Sequence, residues 1–276
     1  MIRPGVGISE ALYLRPLVYG LDAPDSPCIL HRDIPAQLSV ATSQRIPPLE
    51  AGCAFLSPID YARHAGDYRI VPGICAASAT ATRTIQLAVR QDVRAVSRVA
   101  VDVRVTSEIV LLKIILLEKY SDLSRRGKGP ELVATGGRLE EKLEKADAAL
   151  IVHLGPELPP TPDVFALDLV EEWVDLTDLP YPHGFWVGHE DAMTESLVAA
   201  LGDARAAGLS KLGELATAAG HATGNAADLI LSYLSDFAFD LDDSVKDGAS
   251  EFLRYAYYHG VLKDIPDLKF ALDDQA

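Results

Sequence analysis

The chain has 276 residues, of which 49% are hydrophobic and 24% are charged, and these values are ordinary for a globular protein. They exclude a disordered, collagen-like or coiled-coil chain. The 40 acidic residues exceed the 25 basic ones and give a formal net charge of −15, which argues against nucleic-acid binding and against a basic membrane-surface protein. A single pocket can still be locally positive in such a protein.

Three cysteines are present, an odd number with no CxxC pair: Cys28, Cys53 and Cys75. This pattern predicts buried, reduced thiols rather than a disulfide framework or a structural metal site. The N-terminal segment lacks the pattern of a signal peptide, and the apolar run 109–117 is broken by Lys113 and is shorter than the ~20 residues of a spanning helix. We therefore expect a soluble, cytoplasmic protein without a membrane partner.

Short β-branched runs alternate with helical patterns along the chain, which is typical of α/β proteins. The predicted strands cover residues 53–56, 84–89, 99–103, 148–152 and 184–187. The predicted helices cover residues 58–63, 108–120, 139–145, 191–219, 229–234 and 245–259, and Gly260 is suited to end the last of them. Residues 124–128 form a predicted polar turn, and residues 154–162 contain too many prolines for regular structure.

The segment from about residue 90 to residue 177 contains a complete small α/β unit. It lies between an N-terminal α/β segment and a C-terminal helical segment. We therefore predict a discontinuous first lobe, residues 1–88 plus 181–276, and a second lobe, residues 89–180. Two chain crossings between the lobes would leave a cleft, and ligands of open α/β sheets bind at strand carboxyl ends and helix N-termini.

Motifs of several enzyme classes do not occur in the sequence. There is no P-loop, no dinucleotide-binding glycine fingerprint, no HExxH zinc motif and no GxSxG nucleophile elbow. The candidate site residues are instead the polar side chains at predicted junctions between strands and helices.

Two of these junctions carry hydroxyl side chains: Ser57 before Pro58, and the pair Thr106 and Ser107. A helix start offers free N–H groups and a positive dipole end, and hydroxyls add donors for a carboxylate. Ordinary helix capping favours the same residue types, so a capping role and a binding role both stay open.

The stretch 78–84 (SATATRT) contains the hydroxyls of Ser78 and Thr84 together with Arg83, between two apolar segments. It is either a plain polar loop or a hinge strand that lines the cleft. His153 ends the predicted strand 148–152, at the edge where ligands sit, and a structural histidine is the alternative reading.

Several segments occur in a recognisable order. They are RPLVYGL (15–21), FLSPIDY (55–61), VPGI (71–74), the junction 102–107, ADAALI (146–151), DLVEEW (168–173) and YYHGVL (257–262). In this order they resemble the chorismate dehydratase family of the futalosine route to menaquinone. The resemblance covers nearly the whole chain and implies a two-lobed α/β fold, like that of type II periplasmic binding proteins, with a ligand cleft between the lobes.

In the family that the chain resembles, the site uses an Asn, a Ser, a Thr-Ser helix start and a Gly-Asp pair. Thr84 matches the Ser, Thr106 and Ser107 match the helix start, Tyr13 stands at the Asn position, and His153 begins the segment that matches the Gly-Asp pair. We therefore predict Thr84 and Tyr13 as catalytic residues. The predicted substrate-binding residues are Ser57, Ser78, Arg83, Thr106, Ser107 and His153.

The family's reaction removes water from chorismate to give 3-enolpyruvylbenzoate, and the loss of water makes the ring aromatic. It requires acid–base groups in a shaped cleft that excludes water. The resemblance implies this carbon–oxygen lyase activity on a small carboxylate substrate, with no metal and no organic cofactor. Because Tyr13 and His153 depart from the family pattern, the alternative is a non-catalytic or redirected paralogue that binds a small aromatic or cyclohexadiene carboxylate.

Overall fold

The computed structural model describes residues 3–120, 129–156 and 163–272, which form two five-stranded sheets with helices packed against them. The α/β prediction is therefore confirmed. The predicted turn 124–128 and most of the proline-rich segment 154–162 lie outside the described residues. The strands are β1 (Gly5–Ile8), β2 (Ile29–Arg32), β3 (Cys53–Leu56), β4 (Tyr68–Ser78), β5 (Ile85–Val89), β6 (Arg98–Val101), β7 (Glu131–Ala134), β8 (Ala148–Val152), β9 (Phe165–Asp168) and β10 (Tyr181–His189).

The helices are α1 (Pro35–Ser43), α2 (Pro58–Ala62), α3 (Thr106–Glu118), α4 (Leu139–Lys145), α5 (Leu169–Thr177), α6 (Glu195–Ser210), α7 (Leu212–Thr223), α8 (Ala227–Ser235) and α9 (Asp243–Tyr258). Two helices, α1 and α5, were not predicted, and the helical stretch predicted over residues 191–219 is divided between α6 and α7. A 3-10 helix over Leu12–Val18 contains Pro16, and Gly260 follows α9 with the predicted positive φ of 70°.

Ser57 caps α2 as predicted, because its Oγ accepts the backbone N–H of Asp60 at 3.2 Å. The capping role predicted for Thr106 and Ser107 is wrong. Both residues already belong to α3, the residue before the helix is Val105, and no side chain caps the first turn. The N-cap residue Val105 therefore supplies no side-chain acceptor to the free N–H groups of this helix start.

The two sheets have the same arrangement of strands. In the first, with strand order β2-β1-β3-β10-β4, β1 pairs in parallel with β2 and β3, and β10 is antiparallel to β3 and β4. In the second, with order β7-β6-β8-β5-β9, β6 pairs in parallel with β7 and β8, and β5 is antiparallel to β8 and β9. Each sheet thus presents parallel carboxyl ends at one edge.

The chain changes sheets between β4 and β5 and again between β9 and β10. The first change comes before Ile85, slightly earlier than the boundary after residue 88 that the sequence suggested, and the residue bounds of the two lobes remain our proposal. At this crossing Arg83 adopts φ 58° and donates its N–H to Asp168 Oδ2 at 2.5 Å. The same carboxylate caps α5, so it joins the crossing to that helix.

The interior is apolar and includes an aromatic contact that joins α5, β10 and α9. Trp173 of α5 packs edge-on against Tyr181 of β10 and Phe252 of α9, and all three are buried. The three cysteines are free and buried, as the sequence predicts. Within residues 3–120, 129–156 and 163–272, no helix is long and apolar enough to cross a membrane.

Candidate functional site

The space between the two sheets is bordered by the carboxyl ends of parallel strands from both of them. Ser57 follows β3, Asp102 follows β6 and His153 follows β8, and each of these residues lines a cavity there. This is the position at which open α/β sheets bind ligands. Two adjoining cavities fill the space, and Tyr13 and His183 line both of them.

The small chamber, between the starts of α2 and α3, has a volume of about 40 Å³. Ser57 Oγ lines it and donates to Asp60 Oδ2 at 2.7 Å. Thr106 and Ser107 also line it. Ser107 is 5% exposed, and its buried hydroxyl forms no hydrogen bond of standard geometry, although it lies close enough to the Tyr181 phenol to lower the pKa of that group. The chamber has room for a few water molecules or one carboxylate group.

The large chamber, beside the start of β5 and the end of β8, has a volume of about 250 Å³. Thr84 is 2% exposed, and its Oγ1 lies 3.4 Å from the Tyr233 hydroxyl. Burial raises the pKa of Tyr233 to about 12, so this phenol stays neutral. His153 donates its backbone N–H to the Thr84 carbonyl at 2.8 Å, and its ring Nε2 lies 3.2 Å from Gln86 Oε1. The larger of the two chambers therefore lies beside two predicted site residues, Thr84 and His153.

Aromatic rings form the wall that the two chambers share. The Tyr13 ring is stacked on Phe237, with centroids 4.5 Å apart, and the His183 ring lies 5.2 Å from each of them. Burial lowers the pKa of His183 to about 3, so the imidazole is neutral near pH 7, and its Nε2 lies 3.2 Å from Ser78 Oγ. Burial also raises the pKa of Tyr13. Both rings therefore act as neutral, apolar walls with polar tips.

Two predicted binding residues do not line either chamber. Ser78 is buried behind His183, which it contacts. Arg83 is exposed, and its charge lowers the otherwise raised pKa of Asp236 rather than acting on a residue of the cleft. The left-handed backbone at Arg83 and the bond from its N–H to Asp168 assign it a local role at the crossing.

Arg104 is the only Lys or Arg among the described residues that line the chambers, and it was not predicted from the sequence. Its guanidinium forms a bidentate pair with Asp102, at 2.5 Å from Nη2 to Oδ2 and 2.9 Å from Nε to Oδ1. The hydrogen bonds from Arg104 hold the pKa of Asp102 down, at about 2. This pair is neutral as a unit, so it contributes little net attraction for an anionic ligand.

Glu108 is the most informative residue that the sequence did not single out. It lies in the first turn of α3, is partly buried and lines both chambers. Burial raises the pKa of its carboxyl to about 7; its own backbone N–H opposes this increase, and Asp60 adds to it. An acid in a first turn is usually read as a partner of the helix dipole. Only the packing of the second sheet against the first identifies this one as a cleft residue.

A contact between the 3-10 helix and the segment after β8 lies beside the large chamber. The N–H of Leu12, in the 3-10 helix, donates to the carbonyl of Leu154 at 2.6 Å. Gly155 lies against the Leu12 side chain, since an added Cβ would be 3.5 Å from it. The described residues contain no cluster of three or more His, Cys, Asp or Glu side chains arranged to hold a metal ion. The arrangement supplies hydroxyl donors, neutral aromatic rings and one carboxyl that titrates near neutrality.

Comparisons with known proteins agree on one family. A family model described as menaquinone biosynthesis matches residues 4–258. A chorismate dehydratase from Thermus thermophilus is 29% identical in a 217-residue alignment that covers 74% of this chain and 79% of that protein.

Solved structures show the same fold at low sequence identity. A protein named AF1704 from Archaeoglobus fulgidus is similar with a TM-score of 0.72 and 16% identity, covering 94% of this chain and 98% of that one. The periplasmic aliphatic sulphonate binding protein of Escherichia coli has a TM-score of 0.56 and 16% identity, covering 96% and 95%. The two-lobed architecture of periplasmic binding proteins, expected from the resemblance, is therefore confirmed.

Proposed function

Because the chain belongs to the menaquinone-biosynthesis family, we propose that it dehydrates chorismate to 3-enolpyruvylbenzoate in the cleft between its two sheets. The observation that carries the proposal is the convergence of two hydroxyl-bearing helix starts, at Ser57 and at Thr106 and Ser107, on one cavity. We also propose a cytoplasmic location and a small carboxylate as the molecule that the cleft binds.

The two chambers support a ligand with a ring and two carboxylates. One carboxylate fits the small chamber, where the uncapped first turn of α3 and the Ser107 hydroxyl are available as donors. The ring fits the large chamber between Thr84 and His153. Tyr13 and His183 then contact the ligand at the boundary between the chambers.

The groups that line the large chamber support an elimination reaction. The product is aromatic, so the protein has to lower barriers rather than drive an unfavourable equilibrium. One ring C–H bond breaks, one C–O bond breaks, and the proton and the hydroxyl leave together as water. We assign Thr84 and Tyr13 to contacts with the reacting part of the substrate, with Thr84 held by the Tyr233 hydroxyl at 3.4 Å.

A second candidate function follows from the position of Tyr13. A phenol stacked on Phe237 occupies the wall where the family pattern has an amide, so it reduces the space and changes the donors there. This favours a redirected paralogue, or a non-catalytic one, that binds a smaller aromatic or cyclohexadiene carboxylate.

The test is direct incubation of the purified protein with chorismate, followed by chromatographic measurement of 3-enolpyruvylbenzoate. Thr84→Val is the matched control, because it nearly preserves side-chain volume and removes the hydroxyl. We expect product well above the buffer rate with the native chain and a much lower rate with the variant. A rate equal to that of buffer would contradict dehydration. Calorimetric binding of 3-hydroxybenzoate by that inactive protein would favour the second candidate.

A further inference from the structure

The cleft places carboxyl groups where a carboxylate ligand would bind, and its hydroxyl donors do not offset their negative charge. A dicarboxylate entering it meets the carboxyls of Glu108 and Asp60, and the one arginine that lines it is already paired with Asp102. No described Lys, Arg or His side chain lies within salt-bridge distance of Glu108. Like charges in a partly desolvated cleft repel strongly, because little water is present to screen them.

Glu108 is placed where that repulsion would be greatest. It is the third residue of α3, directly after Thr106 and Ser107, so its carboxyl shares the helix start that would hold the ligand carboxylate. It also borders the large chamber, where the ring would lie. An ionised Glu108 would compete with the ligand for this helix start, whereas a protonated Glu108 would be a hydrogen-bond donor to it.

We propose that Glu108 is the proton carrier of the cleft: a carboxylate ligand binds only when Glu108 is protonated, and Glu108 then supplies that proton to the leaving hydroxyl. This assignment rests on the proposed function for its second part. The first part concerns binding alone and holds for any benzoate-type ligand of the cleft.

The proton balance of the reaction closes on this one side chain. As the C–O bond to the ring breaks, the departing oxygen takes the Glu108 proton and leaves as water. The Glu108 carboxylate then takes the proton from the adjacent ring carbon, and the electrons of that C–H bond complete the aromatic ring. Glu108 ends in the protonated form in which it began, so each turnover consumes one chorismate and releases one product and one water.

Five ionisable groups that face Glu108 keep one charge state around neutral pH. Tyr13 and Tyr181 have raised pKa values because they are buried, and burial lowers the pKa of His183 to about 3, so all three stay neutral. Asp102 stays ionised with a pKa of about 2, and Arg104 stays cationic. Asp60 adds repulsion from α2, and His153 is the remaining lining residue, which the test controls by substitution.

The test is calorimetric binding of 3-enolpyruvylbenzoate at about pH 6 and about pH 8, in two buffers with different heats of ionisation. The native protein should take up about one proton per ligand at the higher pH, and its apparent Kd should rise about tenfold for each pH unit above 7. Glu108→Gln should take up no proton and should bind equally at both pH values. His153→Gln, the matched control, should keep the native pH dependence.

Several results would overturn the inference. These are pH-independent binding by the native protein, an unchanged proton uptake in Glu108→Gln, or no binding by either protein at the lower pH. A failure of the proposed function has a different signature: proton-linked binding without turnover of chorismate leaves the role of Glu108 in binding intact and removes only dehydration. Turnover of chorismate with pH-independent binding would support dehydration and would exclude Glu108 as the proton carrier.

Discussion

The Tyr13 ring lies flat on the Phe237 ring, with the two planes 3° from parallel, and Tyr13 lines both chambers. Stacked aromatic pairs contribute about 0.5–1.5 kcal/mol beyond the area that they bury. We therefore expect Tyr13→Asn to lower the free energy of unfolding by about 1–3 kcal/mol, since it removes both the stack and apolar contact.

Urea unfolding measures this effect, and Tyr13→Phe is its matched control. The phenylalanine keeps the stack on Phe237 and should stay within about 0.5 kcal/mol of the native chain. Equal losses of unfolding free energy in the two variants would show that the hydroxyl of Tyr13, rather than its ring, provides the stabilisation.

The Thr84 hydroxyl is expected to act on turnover rather than on binding. It borders the large chamber and lies 3.4 Å from the Tyr233 hydroxyl, so Thr84→Val should lower kcat at least tenfold, on the order of 1.4 kcal/mol in the barrier, with little change in KM. Steady-state kinetics with chorismate separate the two constants.

Tyr233→Phe is the companion variant for Thr84. It removes the partner hydroxyl and leaves Thr84 in place, so a smaller loss of kcat is expected if Thr84 itself contacts the substrate. A loss of kcat as large as that of Thr84→Val would instead assign the contact with the substrate to Tyr233.

The two serines of the small chamber should separate binding from stability. The Ser107 hydroxyl has no standard hydrogen bond to lose, so Ser107→Ala should raise the Kd of 3-enolpyruvylbenzoate about tenfold, a loss of about 1.4 kcal/mol, with a nearly unchanged melting temperature. Ser57 caps α2, so Ser57→Ala should also lower the free energy of unfolding by about 1 kcal/mol. Calorimetry and thermal unfolding of both variants check this; a stability loss in Ser107→Ala with native affinity would contradict the assignment of the small chamber.

The raised pKa of Glu108 makes the stability of the chain depend on pH. Folding and burial raise this pKa from 4.5 to about 7, so the folded protein binds the proton more tightly than the unfolded chain does. The corresponding stability is fully present below about pH 4.5 and is lost as the pH rises through 7. Glu108→Gln should therefore be more stable than the native chain by about 1–3 kcal/mol at about pH 8 and nearly equal to it at about pH 4.

Denaturant unfolding at the two pH values gives the difference between these proteins. A gain in stability that is the same at both values would mean that the substitution acts through packing, and the ionisation of Glu108 would then carry no cost in the folded state.

Sequence reasoning predicted best the elements that depend on local chemistry. The bounds of β3 and α4 match the predicted ones, and the Ser57-Pro58 start of α2 follows from capping and from the preference for proline at the first helical position. The strand β4 was not predicted, because its Pro72 and Gly73 resemble a turn. The long pairing of β4 with β10 overrides that local signal.

The site was less predictable than the fold, since it depends on which side chains two separate sheets turn toward one another. Hydroxyls at strand ends pointed to Ser57, Ser107 and Thr84, and all three line the chambers. Arg83 is exposed, at a left-handed backbone position that its residue type does not signal. In the sequence, Glu108 looks like any acidic residue in the first turn of a helix. Only its burial in the folded protein distinguishes it.

In the proposed complex, one ligand carboxylate lies between the starts of α2 and α3 while the ring lies in the large chamber. The most direct measurement is a crystal structure of the native chain with 3-enolpyruvylbenzoate bound. We expect a carboxylate within hydrogen-bond distance of Ser107 Oγ and the first-turn N–H groups of α3, with the ring between Thr84 and His153. A ligand outside the cleft, or a carboxylate held by Arg104 away from both helix starts, would contradict this placement of the ligand.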